Sequence, residues 1–147
     1  MPPAEWRSDA VAMTTTHDLP TVAGWWTGAD IAMRDAIGLA DEKAETAQRA
    51  QDRAALWSAF RDAGVAAGAA PDDPAPAVDA AIAFTAQSTG ALALIPLEDV
   101  LGVTEQPNLP GTIDEHPNWR RRLAKPASEL LSASDVRRRL KTLRERT

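Results

Sequence analysis

The chain has 147 residues, a net charge of -5 at pH 7 and no cysteine, and 30 of its hydrophobic residues are alanine. This length excludes a complete (β/α)8 barrel, which needs about 250 residues, and the lack of cysteine excludes disulfides, thiolate metal sites and cysteine nucleophiles. Few bulky apolar side chains remain, so we predict a thin core built by close packing of helices. Two histidines, His17 and His116, are too few for a metal site without carboxylates, and no cofactor is expected.

The N-terminal sequence lacks the basic start and apolar run of a signal peptide. No stretch approaches the roughly 18 apolar residues of a membrane helix. We therefore expect a cytoplasmic protein without a membrane partner.

Residues 1–64 predict one strand and three helices after an irregular lead-in over residues 1–9. Residues 10–16 are first apolar and then β-branched, which is typical of a buried strand that ends in a polar cluster. A turn at Pro20 follows. A helix is then expected to begin over 22–26, and a short helix over 30–37 ends at Gly38. An acidic first turn and a terminal glycine predict a long helix over 41–64. The longest is expected to bury Leu56, Trp57 and Phe60.

A loop over 64–76, rich in Gly, Ala, Pro and Asp, precedes a further helix over 77–89 and then the strongest strand signal, over 91–97. This apolar run is continuous rather than alternating, so we expect burial on both faces, as in parallel sheets covered by helices. The sequence therefore predicts a mostly helical α/β fold with at most two recognisable strands. Glu98 and Asp99 follow the second strand. They either lie at the end where barrel enzymes keep their sites, or Asp99 caps the next short helix.

The remaining sequence predicts coil over 104–112, a short helix over 118–123 and a final helix over 134–146. Ser132 and Asp135 have the spacing of an N-terminal capping pair for that last helix.

Charge is distributed unevenly along the chain. Residues 1–118 carry 6 basic and 18 acidic side chains, net -12, whereas residues 119–147 carry 10 basic and 3 acidic ones, net +7. The basic segment is either the solvated face of a terminal helix whose dipole it complements or a nucleic-acid-binding arm. The first interpretation is preferred, because no aromatic residue follows Trp119 to stack on a base.

Two segments combine rigid turn residues, polar groups and indoles. Residues 14–21 (TTTHDLPT) lead to residues 24–26 (GWW), and residues 106–112 (QPNLPGT) lead to residues 116–121 (HPNWRR). This composition suits a sugar, whose hydroxyls need convergent hydrogen bonds while the C–H faces of its rings pack on aromatics. Structural alternatives stay open: Asp18 caps a turn, the prolines and Gly111 only fix a turn, and Trp119 anchors the C-terminal helix.

These segments, together with residues 97–102 (LEDVLG), closely resemble the C-terminal region of bacterial 4-α-glucanotransferases, the amylomaltases of glycoside hydrolase family 77. The resemblance covers essentially the whole chain. It implies that residues 1–147 form one fragment, the C-terminal portion of a (β/α)8 TIM barrel. It also implies a retaining transferase that moves α-1,4-glucan segments between maltodextrins.

The resemblance implies three catalytic carboxylates, of which Asp18 matches the transition-state stabiliser. The nucleophile and the acid/base would lie upstream of Met1, so the chain alone is expected to be catalytically incomplete. Its expected partners are a maltodextrin or other α-glucan and the missing N-terminal part of the barrel. The expected substrate-binding residues are His17, Trp25, Trp26, Asn108, Gly111 and Trp119.

Trp25 and Trp26 are adjacent on a predicted helix and cannot easily both be buried, so at least one is expected at a groove or an interface. Two other classes of function remain open. One is a non-catalytic carbohydrate-binding remnant, and the other is a nucleic-acid or protein interaction module that uses residues 119–147.

Overall fold

The computed structural model describes residues 1–145. Over this range the chain forms a 3-10 turn at Pro3–Glu5, strands β1 (Val11–Met13) and β2 (Leu92–Leu94), and helices α1 (Val22–Thr27), α2 (Ala29–Asp35), α3 (Glu42–Asp62), α4 (Pro74–Ala86), α5 (Leu97–Leu101), α6 (Ala127–Leu130) and α7 (Ser134–Arg144). The prediction of a mostly helical α/β fold with few strands is confirmed. No helix among these residues has the length and apolarity needed to cross a membrane.

The two strands pair in parallel, with Val11 opposite Leu92 and Met13 opposite Leu94. Gly90 allows the chain to enter this pairing, because a Cβ there would lie 2.8 Å from the carbonyl oxygen of Ala10. Burial of β2 on both faces was predicted and is wrong, since Leu92 is 54% and Leu94 48% exposed. Within residues 1–145 the sheet has only these two strands, too few to cover the leucines.

The core lies where α1, α3 and α4 meet. Trp57 and Phe60 of α3 are buried, as predicted, and the rings of Trp57 and Trp26 lie 5.7 Å apart. Phe60 also contacts Phe84 of α4, with 5.3 Å between ring centroids. The face of α4 toward this cluster is rich in alanine, and small side chains let helices approach closely. The thin, alanine-rich core expected from composition is thus the one observed.

Local signals explain the bounds of the two long helices. Asp41 caps α3 by accepting a hydrogen bond from the backbone N–H of Ala44 at 3.1 Å, and Gly64 follows its end with a left-handed φ of 73°. Helix α4 begins three residues earlier than predicted, at Pro74, after the N-cap Asp73. Proline is favourable at the first helical position, where its missing N–H would have no helical partner.

A buried ion cluster joins α2 to α3. Asp30 is 3% exposed, and its carboxylate accepts two hydrogen bonds from Arg49, at 2.7 and 2.8 Å. Arg49 also donates to the backbone carbonyl of Trp25 and lies 4.6 Å above the Trp25 ring. Arg34 and Glu45 extend the cluster through a hydrogen bond, which raises the pKa of Arg34. Helices with few bulky residues are therefore joined by charge as well as by apolar contact.

The predicted helix over 118–123 is wrong, because these residues form turns and coil. Trp119 has a left-handed φ of 59°, which is not a helical conformation. The Asn118 side chain forms hydrogen bonds with the backbone of Leu109 and Thr112. Such side-chain bonds to backbone compete with helix formation.

The capping pair predicted for the final helix is also wrong. Ala133 is the N-cap of α7, and Ser132 donates its hydroxyl to the carbonyl of Glu129 at 2.6 Å. Ser132 therefore closes α6, a short helix that was not predicted from the sequence. The last residue of the predicted helix, Arg146, lies outside the described residues.

Helix α7 is attached to α4 through its arginines. Arg139 is buried and donates to Asp79 at 2.7 Å and to the carbonyl of Val100 at 2.8 Å, and Arg138 also pairs with Asp79. The solvated-face interpretation of the basic segment is therefore wrong for Arg139, although Arg137 is exposed.

Candidate functional site

Residues 14–21 connect β1 to α1, and we name them the His17–Asp18 loop. The backbone N–H of Leu19 bonds to the carbonyl of Thr16 at 3.1 Å, which closes a turn with His17 and Asp18 at its centre. Their side chains are 60% and 51% exposed. The turn therefore presents an imidazole and a carboxylate at the surface beyond the end of a strand.

Two neighbours lie beside the Asp18 carboxylate. Asn108 donates its side-chain N–H to Asp18 Oδ1 at 2.6 Å, and His17 Nε2 lies 3.4 Å from Asp18 Oδ2. Asn108 is 90 residues away along the chain, so the two segments selected from the sequence meet at this carboxylate. Asp18 thus does more than cap its own turn.

Trp119 completes the cluster. Its ring centroid lies 5.3 Å from that of His17, with 52° between the ring planes, and the residue is 64% exposed. An indole this exposed is open to a ligand, although Trp119 also lines a groove with Leu130 and Val136 of the C-terminal helices. We name the cluster of His17, Asp18, Asn108 and Trp119 the Asp18 site.

Gln106 links the two segments of the site through its side-chain amide. Its side-chain amide donates to the backbone carbonyls of Asp18, at 3.1 Å, and Asn108, at 2.6 Å. Gln106 is buried, and its own carbonyl oxygen lies 3.0 Å from Nε2 of buried His116. Gln106 belongs to the motif of residues 106–112, but no role was predicted for it from the sequence. A long side-chain amide directly before the Pro107–Asn108 pair was the available signal.

Gly111 lies in an exposed turn with a left-handed φ of 84°, a conformation that glycine adopts without steric cost. This conformation is consistent with the turn interpretation, and a contact between Gly111 and substrate stays a prediction. The same segment is fixed further along by Glu115, whose pKa is held below its usual value by a hydrogen bond from the backbone N–H of Ile113.

The two adjacent tryptophans of α1 have different environments. Trp26 is fully buried and donates its indole N–H to the carbonyl of Pro71 at 2.9 Å. The prediction that Trp26 contacts substrate is therefore wrong, because no face of its ring is open to a ligand.

Trp25 is half-buried and lines a cleft of about 790 Å³ that also reaches Asp18. One indole of the pair therefore lies at a groove, as predicted. Apolar side chains form much of the rest of the wall, including Leu19, Leu56 and Phe84.

Asp99 lies inside α5 and is fully buried. Its carboxylate accepts hydrogen bonds from Thr14 Oγ1 at 2.5 Å, Thr15 Oγ1 at 2.8 Å and the backbone N–H of Val22 at 2.7 Å. The interpretation that Asp99 caps the helix after β2 is wrong, since its partners belong to the His17–Asp18 loop and the first residue of α1. Glu98, the neighbouring acid, lines a separate groove of about 690 Å³.

Close backbone contact brings α1 against the segment that carries Asn108. A Cβ at Gly24 would lie 2.4 Å from the carbonyl oxygen of Thr104, nearer than any side chain allows. Glycine at this position therefore helps to set the spacing between the two segments of the site.

The Asp18 site offers one carboxylate, one imidazole, one side-chain amide and one open indole face. These groups can hydrogen-bond the hydroxyls of a sugar, pack against its C–H face and stabilise positive charge. Among residues 1–145, no group of three or more His, Asp or Glu side chains is arranged to hold a metal ion.

Comparison with known proteins gives concordant matches. A family model described as 4-alpha-glucanotransferase matches residues 1–128. Curated 4-alpha-glucanotransferases of Mycobacterium bovis and Mycobacterium tuberculosis are each 34% identical over 149 aligned residues, which cover 99% of this chain and 21% of the relative. The crystal structure of amylomaltase from Corynebacterium glutamicum matches with a TM-score of 0.83 and 27% identity, over 97% of this chain and 23% of that one. The chain thus spans about a fifth of the length of these relatives.

Proposed function

Because this chain belongs to the 4-alpha-glucanotransferase family, glycoside hydrolase family 77, we propose that it supplies the Asp18 site of an enzyme that transfers α-1,4-glucan segments between maltodextrins. The observation that carries the proposal is the Asp18 carboxylate, exposed at the tip of its loop and bonded by Asn108 at 2.6 Å. His17 and Trp119 stand beside it.

Each side chain has a distinct role in this proposal. Asp18 accepts hydrogen bonds from hydroxyls of the donor sugar and stabilises the positive charge that develops in the oxocarbenium-like transition state. His17 donates to a sugar oxygen. Trp119 packs its open face on the C–H face of a ring. Asn108 holds the Asp18 carboxylate in place, and Trp25 lines the cleft along which the glucan chain continues.

We further propose that residues 1–147 form a single unit, the C-terminal portion of a (β/α)8 barrel. The parallel pairing of β1 and β2 and the exposed leucines of β2 support this placement, because barrel strands pair on both edges and are covered on both faces. The other partner would be the N-terminal part of that barrel, which would supply the nucleophile and the acid/base.

Binding of maltotriose by the isolated chain tests the role of the Asp18 site. We expect Asp18→Ala to weaken binding by about tenfold or more, since a hydrogen bond to a charged group is worth about 1.5–3 kcal/mol. Trp119→Ala should also weaken it, through loss of the stacking face. Titration calorimetry or NMR titration with maltotriose measures both effects.

Asp9→Asn is the matched control, because Asp9 is an exposed aspartate paired with Arg7 and is not part of the Asp18 site. It should bind as the parent chain does. Equal affinity in the parent, Asp18→Ala and Trp119→Ala would contradict the assignment.

Turnover gives a second prediction. The pure chain incubated with maltotriose should yield no longer or shorter maltodextrins, because retention needs a nucleophile and an acid/base about 5–5.5 Å apart and Asp18 is neither in this proposal. Chromatography of the products checks this, with a complete 4-alpha-glucanotransferase as the positive control. Robust disproportionation of maltotriose by the chain alone would contradict the proposal that it holds only part of the catalytic site.

A further inference from the structure

Asp99 connects the two ends of the His17–Asp18 loop. The loop leaves β1 at Thr14 and Thr15 and enters α1 at Val22, and all three residues donate a hydrogen bond to this one carboxylate, at 2.5, 2.8 and 2.7 Å. Asp99 itself comes from α5, more than 75 residues further along the chain. One side chain thus closes the neck of the loop that carries His17 and Asp18 at its tip.

The burial of Asp99 makes the three hydrogen bonds at the neck of the loop important for its conformation. Asp99 is 0% exposed, so its carboxylate depends on these protein donors rather than on solvent. A buried carboxylate without hydrogen bonds is strongly disfavoured. The two hydroxyls share Oδ2 and the backbone N–H bonds Oδ1, which fixes both sides of the neck relative to one planar group. Movement of either side would leave part of the buried charge without a partner.

The tip of the loop is bonded separately. The Gln106 amide holds the carbonyl of Asp18, and Asn108 holds its carboxylate. Those bonds fix Asp18 against the segment 106–108, whereas the Thr14–Asp99 and Val22–Asp99 bonds set where the loop rises from the sheet. The placement of the His17 ring next to Trp119 depends on both.

We propose that Asp99 is a positioning residue that sets the His17–Asp18 loop against Trp119 and thereby aligns the Asp18 site. Its relevance to glucan binding rests on the function proposed above. The positioning itself is a property of the chain without ligand. We expect asparagine at position 99 to preserve this positioning. Its Oδ1 can still accept from the Val22 N–H, and its amide can donate to the two threonine hydroxyls, which rotate to accept. Alanine has no side-chain acceptor or donor and should not preserve it.

The ring protons of His17 provide the test, since Trp119 lies close enough to shift them by its ring current. The chain has two histidines, so the NMR signals are assigned with His17→Gln. In Asp99→Ala we expect the His17 signals to move toward free-histidine positions and maltotriose affinity to fall about tenfold or more. Asp99→Asn should retain both. The signals of buried His116 should stay unchanged in every folded variant and report that the rest of the site segment is intact.

Glu98→Ala is the matched control, because Glu98 is the neighbouring acid of the same helix and lines a different groove. It should leave the His17 signals in place. Thr14→Val removes one bond at the neck and should move the same signals by a smaller amount. If Asp99→Ala does not fold, Thr14→Val decides the question.

Parent-like His17 signals in folded Asp99→Ala, or in Thr14→Val where Asp99→Ala does not fold, would overturn the proposal. Equal displacement by Glu98→Ala would overturn it too. Failure of the parent chain to bind maltotriose contradicts only the proposed binding of sugar by the Asp18 site, while the His17 signals still test the positioning.

Discussion

Asp30→Ala is expected to lower the free energy of unfolding by about 3–5 kcal/mol, the usual cost of removing one partner from a buried ion pair. The substitution leaves the guanidinium of Arg49 without the carboxylate that accepts two of its hydrogen bonds, in a site where Asp30 is 3% exposed. Arg34, 3.5 Å from the same carboxylate, loses a neighbour as well. Because Arg49 also holds Trp25, the loss should loosen the junction of α1, α2 and α3.

Urea unfolding followed by circular dichroism measures this effect. The matched control is Asp9→Ala, which breaks an ion pair of similar length on the surface, Arg7–Asp9 at 2.6 Å. Its stability should be unchanged within error, since exposed pairs are screened by solvent. Adding Arg49→Met to Asp30→Ala should restore part of the loss, because the uncompensated charge is then gone. Equal effects of Asp9→Ala and Asp30→Ala would contradict the role assigned to burial.

Trp26→Ala should destabilise the chain by about 3–5 kcal/mol, the range for removing a buried tryptophan from a core. Trp26 is fully buried, contacts Trp57 and bonds Pro71 through its indole N–H. Any loss of maltotriose binding in this variant should follow the fraction of unfolded chain, because the ring is closed off from ligand.

Trp119→Ala is the matched comparison on the same residue type. Trp119 is 64% exposed, so its replacement should leave the unfolding transition nearly in place while maltotriose binding weakens. Thermal unfolding and ligand titration on both variants separate the two roles. A stable Trp26→Ala variant that fails to bind maltotriose would restore Trp26 as a ligand contact and contradict its assignment to the core.

Local signals predicted the two long helices and the parallel strand pair. For α3, an acidic first turn and a terminal glycine both predicted a helix, and Trp57 and Phe60 fell on the buried side. Family resemblance assigned both Asp18 and Asn108 to the site. The hydrogen bond between them was not predicted, since periodicity carries no information about residues 90 positions apart.

The missed features depend on tertiary structure. Which of Trp25 and Trp26 faces the core is set by the rotation of α1 against α3 and α4, and the sequence of a six-residue helix does not specify that rotation. The role of Asp99 depends on three donors that are distant in sequence. The exposure of β2 depends on how many strands surround it. Its apolar sequence indicates only that it is suited to a buried strand.

The left-handed backbone of Trp119, with φ of 59°, has an evolutionary consequence. A residue with a Cβ adopts this conformation at a cost of about 1–2 kcal/mol relative to glycine. Selection for thermal stability alone would therefore replace Trp119 by glycine. Selection for glucan handling would retain the indole at the expense of stability. In a library screened first for heat resistance and then for maltotriose binding, position 119 should be the place where the two screens choose different residues.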